Sequence, residues 1–154
     1  MNRIHERLLE FKNKYPFTIG RRLKYHAKVI EKHLSAEEEV IYVFYGQKSV
    51  STFDIFNTYV CVLTDKRILI ATKRTVFGYL FKSITPDMFN DLTVKVRLIW
   101  GQVWIDTIKE MIKLSNIQKN ALPEIEQAIT EQMKRVKRGY KHTDSEMLIE
   151  HQNH

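Results

Sequence analysis

The sequence predicts a mainly β fold with added α: a seven-stranded, partly open barrel or orthogonal sandwich, capped by a C-terminal helix and preceded by two N-terminal helices. Three observations carry this expectation. The hydrophobic period switches from helical to strand-like near Val40 and back to helical near Leu122. Between those points lie seven runs rich in Val, Ile, Tyr, Phe and Thr, separated mostly by short turns. At their centre, residues 59–63 and 68–71 flank Thr64-Asp65-Lys66-Arg67, a hairpin whose strands are apolar on both faces and therefore belong inside a sheet system. Seven short antiparallel strands cannot bury their inner faces as one flat sheet, so closure into a barrel or sandwich follows.

Taken in order, residues 3–15 set Ile4, Leu8, Phe11 and Tyr15 on one helical stripe that Pro16 ends. After Gly20 a second stripe runs through Leu23, Ala27, Ile30 and Leu34, with Arg21, Arg22, Lys24, Lys28 and Lys32 on its other faces. Ser35 with Glu38 has the form of a capping box and suggests one short turn. Strands are expected over residues 40–47, 55–63, 67–73, 76–84, 92–98, 103–108 and 111–115, with a hairpin turn at Gly101 and a longer corner around Pro86. Leu122, Ile125, Ile129, Met133 and Val136 then form a closing helix, and Pro123 is tolerated in its first turn. The division is residues 1–34 as a helical pair, 35–138 as the domain, and 139–154 as a polar, flexible tail.

At 154 residues, one domain can bury a core without metals or disulfides. Lone Cys61 in an apolar strand and the lack of a basic-then-apolar leader point to a reducing cytoplasm. The net charge of +7 is uneven: residues 1–32 carry nine Lys and Arg against three Glu, and Lys134, Arg135, Lys137 and Arg138 form a second cluster. Such clusters attract nucleic acid or anionic membrane, or simply keep a helix face solvated.

Leu63-Thr64-Asp65-Lys66-Arg67-Ile68-Leu69-Ile70 resembles the strand-turn-strand signature of the bacterial pleckstrin-homology (PH) domain family. Ser83-Ile84-Thr85-Pro86, Phe89, the Gly101 hairpin and Val103-Trp104-Ile105-Asp106-Thr107 are similar to that family's following strands, over roughly residues 35–136. The resemblance implies a binding or assembly module rather than an enzyme. Lipid-binding PH domains hold inositol phosphates with basic residues of the first hairpin; here that loop offers Lys48, and residues 54–63 contain no Lys or Arg.

No catalytic constellation, cofactor or metal set emerges. His26 and His33 share a helix face without a carboxylate or thiol at ligand spacing, and read as exposed. Cys61 reads as a buried structural thiol, and Asp65, Asp87, Asp91 and Asp106 as turn formers. Two features stand out as candidate contacts. Leu98, Ile99 and Trp100 are large apolar residues beside a predicted turn, so they either fold under the N-terminal helices or meet a subunit or membrane. Lys66, Arg67, Lys73, Arg74 and Lys82 gather cations on neighbouring strands. The leading expectation is a module that binds protein or self-associates, the latter through residues 1–34. The alternative is a weak adaptor for anionic membrane lipids through the basic clusters. Specific nucleic-acid binding lacks a motif.

Overall fold

The computed structural model describes residues 3–48 and 57–152. Helices α1 (Arg3–Lys14) and α2 (Leu23–His33) precede seven strands: β1 (Val40–Lys48), β2 (Thr58–Thr64), β3 (Ile68–Lys73), β4 (Tyr79–Ile84), β5 (Phe89–Val96), β6 (Trp100–Thr107) and β7 (Met111–Gln118). A short 3-10 turn leads into α3 (Leu122–Gln152). The strands form one antiparallel sheet in the order β4-β3-β2-β1-β7-β6-β5, curled into a half-barrel with β4 and β5 as its edges. β1 joins the two halves: it pairs with β2 along most of its length and with β7 at Gln47 and Lys48.

The apolar patterns explain the packing. Every residue of β2 is buried, as is β3 up to its last residue, because α2 covers these strands on one side. Ile4, Leu8 and Phe11 of α1 and Leu23, Ala27, Val29 and Ile30 of α2 join the same core. These residues of both stripes therefore pack within the chain itself. Polar ties fix α1: Arg7 donates to Val40 O and Ile41 O at 2.6 and 2.9 Å. Glu124, in the first turn of α3, accepts from Lys14 Nζ and Tyr15 Oη at 2.7 Å and from Tyr42 Oη at 2.9 Å. Burial raises the Glu124 pKa, but these hydrogen bonds outweigh it and leave the carboxylate below its usual range.

Leu122, Ile125, Ile129 and Met133 are buried and close the half-barrel. Two sequence expectations change. The closing helix does not stop near residue 137; it continues to Gln152, so most of the segment expected as a flexible tail is helical. Gly139 alone weakens that stretch, by about 1 kcal/mol relative to Ala, and polar composition does not break a helix. Gly101 is not a turn residue but lies in β6 opposite Val96. A Cβ there would sit 2.3 Å from Leu122 Cδ1 and 2.7 Å from Lys95 O, so glycine is required by close packing. The turn falls instead just before Trp100, where Arg97 N–H donates to Trp100 O. The first two residues of the predicted second strand, and the loop after Lys48, lie outside the described residues.

Candidate functional site

The β2–β3 turn is built on Thr64 more than on Asp65. Thr64 Oγ1 accepts the N–H groups of Lys66 and Arg67 at 3.2 and 3.0 Å, while Asp65 Oδ1 accepts the Glu39 N–H. Lys66 is exposed at its tip. Arg67 turns inward and is engaged on three sides. It pairs with Glu38 through Nε at 2.9 Å and Nη2 at 3.1 Å, and donates to His33 O at 2.8 Å and Ser83 Oγ at 3.1 Å. Burial pushes the Glu38 pKa up, but the bonds from Arg67, Thr64 and the Ser35 N–H overcome this and hold it at about 2. The Ser35–Glu38 pattern forms the short turn its spacing suggests, with Glu38 N–H donating to Ser35 O at 3.1 Å, and its carboxylate also anchors Arg67. Arg67 ties α2, the turn and β4 together.

Lys73 and Arg74 lie at the far end of β3, six residues long and so about 20 Å from Lys66 and Arg67. Lys82 pairs with Glu110 at 2.6 Å, beside a cavity of about 170 Å³ lined also by Lys48, Tyr59, Ile70 and Lys113. The five cations thus belong to three separate places. The α3 cluster is likewise divided. Lys137 Nζ caps Phe89 O at 2.6 Å, Arg135 borders a groove, and Lys134 and Arg138 face solvent. Leu98, Ile99 and Trp100 do not fold under the helices; Leu98 is 85% exposed, and only Trp100 is tied to the α1–α2 connection, by an Nε1–H bond to Phe17 O at 2.7 Å.

The most coherent surface is one that no single stretch of sequence announces. α2 lies along β3 and β4, and His26 bolts it there. His26 Nδ1 accepts the Lys73 N–H at 2.7 Å, which requires the proton on Nε2, and Nε2 donates to Arg21 O at 3.0 Å. Burial, with the nearby Arg22 charge, lowers the His26 pKa to about 4 despite the Arg21 carbonyl. His26 is thus buried and not on an exposed face, and His33 stacks on Phe81 at 3.9 Å. Docking α2 this way turns Arg22, Lys24, Tyr25, Lys28 and Lys32 outward beside the β3–β4 tip. Arg22 reaches Thr75 Oγ1 at 3.5 Å and lies over Tyr25; Lys32 lies 5.8 Å from the Tyr79 ring. Gly78, at φ +70°, closes the tip and leaves Val76 and Phe77 77% and 83% exposed. Two exposed apolar side chains thus stand next to exposed Arg74 in a tip that Arg22, at the start of α2, reaches at Thr75.

This architecture of a curled seven-stranded sheet with a closing helix can be set against known proteins. The family model described as "Bacterial PH domain" matches residues 34–131, more than half of the chain. The chain belongs to the bacterial PH-domain family. Among solved structures, the crystal structure of a pleckstrin homology domain from Shewanella amazonensis SB2B is similar at 16% identity and a TM-score of 0.39, covering 66% of this chain and 77% of that one. No curated protein matches. PH domains are binding modules as a class, and the buried Cys61, its thiol pKa pushed up by burial, fits a structural residue.

Proposed function

We propose that this PH domain is a non-catalytic adaptor that docks on anionic membrane surfaces through α2 and the β3–β4 tip. The observation that supports it is the exposure of Val76 and Phe77 on a tip that carries Arg74 and is reached by Arg22, with Lys24, Lys28 and Lys32 exposed further along α2. No described helix is long and apolar enough to cross a membrane, so attachment by this route is peripheral. Each of the five cations at an anionic bilayer contributes about 1 kcal/mol and a buried Phe about 1.5–3 kcal/mol, so together they reach at most ~8 kcal/mol, a dissociation constant on the order of 1 μM. Lys134, Arg135 and Arg138 alone give about 3 kcal/mol, weaker than millimolar, which favours the α2 face over the α3 cluster.

Flotation with phosphatidylcholine vesicles, with and without phosphatidylglycerol, tests the reading. Binding is expected only to the anionic vesicles, weakened by salt and lost in a Val76→Ser, Phe77→Ser variant. Equal binding by that variant, or preference for DNA over anionic vesicles, would overturn it. A protein partner at Leu98 and Ile99 is the second reading, favoured by their exposure beside Phe17.

A further inference from the structure

The remaining surface without an assigned role is the distal half of α3. Only Leu122 to Met133 of this helix closes the half-barrel; beyond Met133, no described side chain of α3 is buried. At 1.5 Å per residue, the part after Met133 extends for almost 30 Å. Between it and the end of β1 runs a groove of about 620 Å³. One wall is Glu39, Ile41 and Asp65, and the other carries Val136, Gly139, Thr143 and Met147 at successive turns of α3. Met147, Leu148 and Ile149 are each more than half exposed.

The charges on this segment decide what fits it. Lys134, Arg135, Lys137, Arg138 and Lys141 come first, and Asp144, Glu146 and Glu150 come last. Within one helix that order is unfavourable, because acidic groups in the final turns meet the negative end of the helix dipole. A second copy running antiparallel reverses the sign of the cost: its acidic end lies beside this copy's basic end, and the reverse holds at the other end of the overlap. We propose that the distal half of α3 is a homodimer interface, two copies crossing antiparallel about a two-fold axis between residues 141 and 142.

That axis sets Val136 of each copy opposite Met147 of the other and brings Arg135, which flanks the same face, toward Glu146 and Glu150. Gly139 sits near the crossing, and the space where its Cβ would lie is open, so a second helix can approach closely. Because each copy offers the same face of α3 to the other, the contact is isologous and closes at two copies rather than growing into a filament. The interface is independent of the membrane face, since it uses none of the residues of α2 or the β3–β4 tip.

Sedimentation equilibrium of the full chain, with two charge-reversal variants, tests this. Arg135→Glu reverses the basic side of this contact; Glu146→Lys with Glu150→Lys reverses its acidic side. All these positions are exposed, and circular dichroism checks that the helix persists. The wild type is expected to dimerise at about 100 μM, each variant alone to dissociate at least tenfold more readily, and an equimolar mixture of the two variants to form a heterodimer. A monomeric wild type, variants that dimerise as well as the wild type, or a mixture that stays monomeric would each overturn the proposal.

Discussion

Replacing Arg67 with Leu removes the partner of a carboxylate whose side chain is 0% exposed. Two routes to the cost agree. Breaking a buried pair by deleting one member typically costs ~3–5 kcal/mol, because the remaining charge is left uncompensated. The Glu38 pKa, held at about 2 against an ordinary 4.5, corresponds to at most about 3 kcal/mol, less where solvent near the partly exposed Arg67 screens the pair. The sign follows from the depressed folded value. Glu38 contributes its stability above pH 4.5 and loses it as the pH falls through about 2. In the variant that dependence weakens, because the unpaired carboxyl is more easily protonated. Urea denaturation at pH 7 should therefore give a loss of about 3 kcal/mol for Arg67→Leu, shrinking toward pH 4, with part recovered in Arg67→Leu, Glu38→Gln. A loss below about 1 kcal/mol at pH 7, or no recovery in the double variant, would refute the assignment of Arg67 as an internal tie.

Two other perturbations follow from the packing. His26 has a folded pKa of about 4 against 6.5, so its neutral form stabilises the fold above pH 6.5 and that contribution is lost as pH falls toward 4. His26→Leu should flatten wild-type acid sensitivity in that window and, by orphaning the Lys73 N–H, cost about 1–3 kcal/mol at pH 7, measured by urea melts. Gly101→Ala should lower the melting temperature by several degrees, since the Leu122 side chain can move but the Lys95 carbonyl cannot, an overpacking cost of about 1–3 kcal/mol. An unchanged melting temperature would return Gly101 to an ordinary turn role.

Strand and helix identity was legible because it rests on local periodicity. The stripes of α1 and α2 and the run Leu122, Ile125, Ile129, Met133 are buried as their spacing implies. The sites were not legible, because they depend on residues far apart in sequence. Arg67 reads as a surface cation until Glu38, 29 positions away, and His33 O, 34 away, are brought against it. His26 reads as a wet helix residue until Lys73, 47 positions on, offers its N–H. The face proposed for membrane docking likewise joins α2 to a hairpin that neither segment's composition predicts. α3 runs past its expected end because a mostly polar stretch can remain helical without a buried apolar stripe.

The burial of α1 and α2 against the sheet has one more consequence. Family likeness begins at residue 34, yet Gly20 packs on the Tyr45 ring, Phe11 stacks near Tyr45, and His26 and His33 complete the polar partners of β3 and the β2–β3 turn. The heritable module and the folding unit therefore have different borders. A fragment cut at the module's edge would carry a sheet with one naked apolar side. Exchange of such modules between genes would succeed only when the upstream helices travel with them.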